Sequence, residues 1–369
     1  MQIVAIALTL AALSAQAPAR QPQRVEAVAQ SAWEALNAGR VAEAERLFDE
    51  ALKTAPGQPA LLVGLAAAAH LSGRSDVARI HLVNALDRDP RFTPASLMLG
   101  QLLYGAGDLA GAIETYENAL RYAPDHPQLT KKLERWRQEA SLHERFDQRF
   151  AVHFTVLFEG PAEAALAAGA VEILEKAYWK IGAALYSYPP DVITVVLYTR
   201  EQFRDVTQSP AWAGGAFDGR IRVPVQGALQ NLAEFERVLT HELTHAFVRS
   251  IAGNSVPQWL DEGLAMYFEG SDRSRRVAQL KSAPERLPLA RLEDSFGGFD
   301  DARARIAYAE SGVAVARLFD EAGTTGVANM LGDLAARVPF GAAFERNAGM
   351  TYEAFQQLLV SLFDSGLKV

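Results

Sequence analysis

From residue 24 to residue 126 the apolar positions fall in short blocks at helical spacing, and the blocks recur every 34 residues. Four columns keep this phase: Gly39, Gly73 and Gly107; Ala44, Ala78 and Ala112; Ala51, Ala85 and Ala119; Pro56, Pro90 and Pro124. The pattern predicts a helix, a glycine-containing turn, a second helix whose alanines permit close crossing, and a proline-led loop to the next unit. Residues 130–149 follow as a charged capping helix with Leu133, Trp136 and Leu142 on its buried side. At Phe150 the period becomes two, and Phe150, Val152, Phe154, Val156 and Phe158 predict one strand with an apolar face. His153 falls on its other face, as a structural residue. A helix over 162–185, a strand over Val192–Tyr198 and a short strand over Arg220–Val225 come next. Pro224 cannot donate to a ladder, which places the last strand at a sheet edge. The C-terminal stretch predicts helices over 301–321, 324–336 and 352–364.

Between these lies the segment with chemical content, RVLTHELTHAFVRSIAGNSVPQWLDEGLAMYFEG, at 237–270. Asn231 with Glu234 three residues on opens a helix, and Phe235, Val238, Leu239, Ala246 and Phe247 give it a buried stripe. His241 and His245 stand at i and i+4, so both imidazoles leave one face with the spacing that chelates one Zn²⁺. Glu242 is turned about 100° from His241, beside a bound metal and in reach of a water's proton. Gly253 and Asn254 reverse the chain, Pro257 suits the first turn of a second helix, and Gly270 ends it. That antiparallel helix offers Glu262 as a third ligand.

Composition narrows the chemistry further. The 369 residues suggest about two domains and include no cysteine. Disulfide scaffolds, thiol nucleophiles and cysteine zinc sites are thereby excluded, and any transition metal must sit on His, Asp or Glu. Of seven histidines only His241 and His245 have ligand spacing; those at 70, 81, 126 and 143 are scattered. The net charge of −8 has no basic concentration, with 15 basic against 16 acidic groups in 1–146 and 21 against 28 in 147–369. Nucleic acid is not an expected partner. An eleven-residue apolar run, Ile3–Leu13, followed by small residues to Ala19, has the form of a secretory leader over 1–19 and is too short to span a bilayer. A secreted or periplasmic location is expected, with no membrane span once the leader is removed.

The periodic region resembles the tetratricopeptide repeat, its third unit matching best through Leu99, Gly100, Leu103, Gly107, Ala112, Tyr116, Ala119 and Pro124. In the first unit Ser31, Ala32 and Ala35 depart from that pattern, as in a solvent-facing terminal unit. Residues 150–365 resemble the gluzincin, or peptidase MA-like, metallopeptidases, and WLDEGLA is similar to the W-L-x-E-G-x-A segment of aminopeptidase N-like enzymes. These resemblances imply an α+β chain: three repeats with a capping helix over 24–146, an all-α solenoid, then a zincin-like domain over 150–365 with a small mixed sheet, an active-site helix and a C-terminal helical part. The resemblance implies that His241, His245 and Glu262 hold one zinc ion and that Glu242 is the general base. Asp261 and Glu269 are candidate partners for a ligand histidine's N–H, and solvated helix acids are the other reading. Tyr308, in ARIAYAESGVAVARLF, resembles the downstream tyrosine that polarises the tetrahedral intermediate, with an ordinary core tyrosine as its other reading. Substrate pairs with the strand before the active-site helix in such enzymes, which points to Ile221 and Val223 here.

Two departures bear on specificity. Sixteen residues separate His245 from Glu262, where aminopeptidase N-like enzymes have 18, and their GAMEN motif is replaced by Gly215-Ala216-Phe217-Asp218-Gly219. Asp218 there is either an amino-group-binding acid or part of an Asp-Gly turn. The expectation is a zinc peptidase, an endopeptidase rather than an aminopeptidase, acting on peptide or protein. The repeats either recruit that substrate or a partner protein, or act as a rigid spacer. The rival is a repeat scaffold with an inactive peptidase fold that only binds peptides.

Overall fold

A computed structural model describes residues 20–208, 214–225, 231–253, 255–283 and 285–364. The expected leader, 1–19, lies outside them. No helix among the described residues is long and apolar enough to cross a membrane. The chain forms two compact units. The first comprises the described residues up to Leu102 together with Thr115–His126; the second comprises Leu103–Glu114 together with the chain from Pro127 onward.

The repeats are helix pairs: α1 (Arg20–Asn37) with α2 (Val41–Thr54), α3 (Pro59–Leu71) with α4 (Ser75–Arg88), and α5 (Thr93–Gly105) with α6 (Leu109–Leu120). The period-34 columns acquire physical causes. Gly39, Gly73 and Gly107 all adopt positive φ in the turn of each pair, a conformation that costs other residues free energy. The alanines at 44, 78, 112, 51, 85 and 119 are buried, where their small side chains let the paired helices approach. Gly64 leaves room for the Phe48 ring, as Gly100 does for the Tyr116 ring one repeat unit later. Val25, Ala32, Leu36, Phe48, Leu61 and Leu65 fill the core of the first two pairs.

α7 (Pro127–His143) buries Leu129, Leu133, Trp136 and also Glu139. It stops six residues short of its expected end because the next residues pair as a strand. β1 (Phe146–Phe150) runs antiparallel to β2 (Phe154–Glu159), with Phe146 opposite Glu159 and Phe150 opposite Thr155. The single strand expected from Phe150 to Phe158 is therefore corrected to a hairpin. Ala151 N–H donates to the Phe154 carbonyl at 2.8 Å, closing the turn, and leaves Phe150 and Val152 74% and 78% exposed. Alternation is genuine only in β2, whose Phe154, Val156 and Phe158 are buried. His153 is held by Glu175, Nδ1 to Oε2 at 2.7 Å, and stacks on Tyr178.

After a short 3₁₀ turn, α8 (Ala164–Leu185) crosses over to β3 (Ile193–Tyr198), parallel to β2. α9 (Arg200–Thr207), opened by a Thr199/Gln202 capping box, leads to β4 (Ala216–Phe217) and β5 (Ile221–Pro224). The sheet order is β1-β2-β3-β5-β4, with β5 parallel to β3 and β4 antiparallel to β5, a small mixed sheet. β5 is consequently not the edge. Ile221 and Arg222 face Phe217 and Ala216 across the ladder, and the side chains of Ile221 and Val223 point into the core. Pro224 is tolerated because it lies beyond the end of that pairing.

On the sheet packs a helical layer: α10 (Leu232–Ala252), α11 (Gln258–Phe268), α12 (Arg273–Lys281), α13 (Asp301–Ala335), α14 (Phe340–Ala348) and α15 (Tyr352–Asp364). α13 joins two expected helices and kinks at Gly323, whose φ of 65° and ψ of 176° leave the helical region. α12 and α14 were not expected from the sequence. The fold is α+β, with one core running through β2, β3, β5, α8, α10, α11 and α13.

Candidate metal centre

α10 begins where Asn231 Oδ1 accepts the Glu234 N–H at 3.1 Å, and its stripe of Phe235, Val238, Leu239, Leu243, Ala246 and Phe247 anchors it in the core. That anchoring turns His241 and His245 to one side, with ring centroids 4.9 Å apart. Gly253 at φ 61° ends the helix, and Pro257 stands immediately before α11 as its cap residue. The start of α11 is fixed by Gln258 and Trp259 N–H groups, which donate to the Glu293 and Leu292 carbonyls. One turn in, Glu262 faces the two histidines.

Glu262 Oε2 lies 3.4 Å from His241 Nε2 and 3.5 Å from His245 Nε2. It is buried and makes no hydrogen bond. The other oxygen, Oε1, accepts from Gln258 Nε2 at 2.9 Å and from the Tyr308 hydroxyl at 3.4 Å. Ligand atoms of His241, His245 and Glu262 lie within 4.8 Å of one another. Four ligands each about 2.1 Å from a tetrahedral zinc stand about 3.4 Å apart, so this trio and its unsatisfied oxygen fit the ion.

Both imidazoles are oriented from behind. His241 Nδ1 is 2.9 Å from Glu269 Oε2, and His245 Nδ1 is 2.9 Å from Asp261 Oδ1. A carboxylate can only accept there, so Nδ1 carries a proton, and loss of the second proton to an incoming cation leaves the Nε2 lone pair directed toward Glu262. Glu269 is itself gripped by Arg237 Nη1 at 2.7 Å and approached by Arg276 Nη2 at 3.5 Å. Neither arginine was expected at the site, although Arg237 precedes His241 by four residues and shares its helix face.

The electrostatics follow from packing four carboxylates, Glu242, Asp261, Glu262 and Glu269, around two buried imidazoles. Burial opposes charge on His241, yet Glu262 and Glu269 push its pKa up to about 9. His245 is likewise opposed by burial and raised well above the ordinary value by Asp261 and Glu262. Burial would raise Glu262, but His245 and His241 hold it well below the usual carboxylate range. Glu242 goes the other way: burial raises its pKa and the histidines only partly offset this. A site that gathers positive charge this strongly is suited to a divalent cation in place of protons.

Glu242 is buried beside the histidines, and the backbone of Gly215, just before β4, packs against its side chain. A Cβ on Gly215 would stand 2.6 Å from Glu242 Oε1, so a larger residue here would displace the Glu242 carboxylate. Tyr308 reaches the site from α13 because Gly263, next to Glu262, lets α11 and α13 meet closely; a Cβ there would strike Val315 and the Ser311 carbonyl. The structure therefore gathers His241, Glu242, His245, Asp261, Glu262, Glu269 and Tyr308. It does not bring Ile221 and Val223 to the opening, since both face the core. Asp218 is committed elsewhere, 3.0 Å from Arg222 Nε through each carboxylate oxygen.

Comparison with known proteins adds three findings. A family model described as the peptidase MA superfamily matches residues 174–360. Two models of the tetratricopeptide repeat match residues 30–96 and 73–135. Among solved structures, the first TPR of Spaghetti (RPAP3) bound to HSP90 peptide SRMEEVD is similar at 20% identity, over 32% of this chain and 97% of that one, with a TM-score of 0.31. The search of curated proteins gave no match.

Proposed function

The chain belongs to the peptidase MA superfamily and carries tetratricopeptide repeats ahead of that domain, and from this premise we propose that it is a zinc-dependent peptidase. The observation that carries the reading is Glu262 Oε2, buried, without a hydrogen bond and 3.4–3.5 Å from two Nε2 atoms. His241, His245 and Glu262 would hold the zinc, with Glu269 and Asp261 fixing the imidazoles. Zinc bound there supplies Lewis acidity toward the scissile carbonyl and lowers the pKa of a water to about 7. Glu242 takes the proton of the attacking water as it adds to the carbonyl carbon, then delivers it to the amine as the C–N bond breaks. The Tyr308 hydroxyl donates to the developing oxyanion. Substrate backbone pairs with β4, whose hydrogen-bonded neighbour among the described residues is β5 alone.

Endopeptidase action is favoured because Asp218, the one acid in the Gly215–Gly219 segment, is engaged by Arg222 rather than available to a substrate ammonium. The repeats recruit a peptide or protein, and the leader pattern over 1–19 supports a secreted or periplasmic location. Zinc per purified chain together with Glu242→Gln tests the reading. Wild type is expected to hold one zinc and cleave a broad peptide library, and the variant to hold one zinc with turnover reduced at least about 10³-fold. A wild type that binds no zinc at neutral pH, or that is no faster than the variant, leaves the inactive peptide-binding scaffold instead.

A further inference from the structure

One buried cluster in the second unit takes no part in the reaction above. Arg222, on β5, is fully inaccessible, as is Glu139 of α7. Arg222 Nη1 donates to Glu139 Oε1 and to the Tyr198 hydroxyl, each at 2.8 Å; Nη2 donates to the Tyr104 hydroxyl at 2.9 Å; Nε meets Asp218. Tyr104 closes the ring by donating to Glu139 Oε2 at 2.7 Å. Arg220 adds a second cation, 3.3 Å from Glu139 Oε1, and donates to the Gly107 carbonyl. Buried ion pairs of this kind rarely exceed an apolar core in stability, so a cluster of this size calls for a positional reason.

The position it fixes is β4. This strand has two residues, and its Ala216 is the ladder partner of Arg222 itself. Asp218, the first residue after β4, is drawn back onto Arg222, which ties the β4–β5 turn to the cluster. Gly219 in that turn has φ 105° and packs so closely on the Gly105 carbonyl that any Cβ would collide with it. The residue on the other side of β4 is Gly215, against Glu242. An unbroken path thus runs from Glu139 and Tyr104, through Arg222 and Ala216, to the backbone beside the general base.

We propose that Arg222, Glu139, Tyr104 and Asp218 are positioning residues that set the register and depth of β4, making Leu103–Glu114 and α7 the support of the strand along which extended substrate pairs. The proposal deepens the peptidase reading and rests on it for the role of β4. An extended substrate that pairs along β4 feels a displaced strand, whereas a substrate too short to reach β4 does not.

The test uses the full chain with Asp218→Ala, which removes a partly exposed partner, and Glu139→Gln. Three quantities are measured: zinc per chain, KM and kcat over peptides of increasing length, and amide exchange at Ala216 and Phe217. Expected for both variants are stoichiometric zinc, turnover of the shortest substrate within about 2-fold of wild type, KM for extended peptides raised about 10-fold, and exchange at Ala216 and Phe217 accelerated at least 10-fold while amides in the middle of α10 are unchanged. Unchanged exchange together with unchanged KM overturns the proposal, as does a loss equal at every substrate length that tracks loss of zinc. A wild type that cleaves no peptide refutes the peptidase reading instead, and the exchange measurement alone then decides whether the cluster holds β4.

Discussion

His241 and His245 reach their ligand geometry through their other nitrogens. Each Nδ1 is bonded to a carboxylate on α11 or immediately after it, which removes the ring flip and tautomer that would point a proton at the metal. Asp261→Asn and Glu269→Gln should each weaken zinc binding about 10- to 100-fold in a chelator competition, with little change in fold. Tyr308→Phe should retain zinc and lose about 10²-fold in kcat, while KM moves little, because the lost donor serves the oxyanion and not the bound peptide. The proximity of His241, Glu242, His245 and Glu262 was legible because helical periodicity fixes the first three on one element and the reversal at Gly253–Pro257 delivers Glu262. Gly215, Arg237 and Arg276 were not legible in the same way. Their roles depend on which side chains arrive from distant elements, and a glycine's missing Cβ leaves no trace in a hydropathy pattern.

At the level of elements, the crossing of α11 on α13 brings Glu262 and Tyr308 together, and Gly263 sets its closeness. Gly263→Val would force the helices apart against the Ser311 backbone, which cannot yield as a flexible side chain can. The expected result is a loss of about 1–3 kcal/mol in denaturant unfolding, accompanied by a fall in kcat. Elements read from periodicity succeeded where one face is consistently buried, as in α8, α10 and β2. They failed at 144–153, where Phe150 and Val152 continue the alternation of β2 through a turn although both are exposed. The edge assignment of β5 failed for a related reason: a two-residue strand such as β4 is too short to show any period, yet it covers half of its neighbour.

Over the whole chain, period-34 glycines and alanines announced the repeats, and one histidine pair announced the second unit. The buried Arg222–Glu139 cluster carried no such announcement, since α7 reads as a charged capping helix whose buried side is Leu133, Trp136 and Leu142, and an acid such as Glu139 is not expected to be inaccessible. Its neighbour His143 gives that cluster a pH signature. Burial, with Arg220 and Arg222 adding to it against the pull of Glu139, lowers the His143 pKa from 6.5 to about 4, and its Nε2 lies 2.7 Å from the Tyr198 hydroxyl. Between pH 6.5 and 4 the unfolded chain binds a proton at this position that the folded chain does not, so stability falls as pH falls through that window, by up to about 3 kcal/mol. His143→Gln should flatten the slope of unfolding free energy against pH there and leave it unchanged above pH 7. The three proposed ligands and both carboxylates behind them all lie within residues 241–269, one helical hairpin, whereas Gly215 and Tyr308 come from before and after it. Capture of the ion and competence to use it are thus separable along the chain. Under mild denaturant, turnover should vanish before zinc is released, leaving a state that is loaded but silent, and refolding should acquire the two properties in the opposite order.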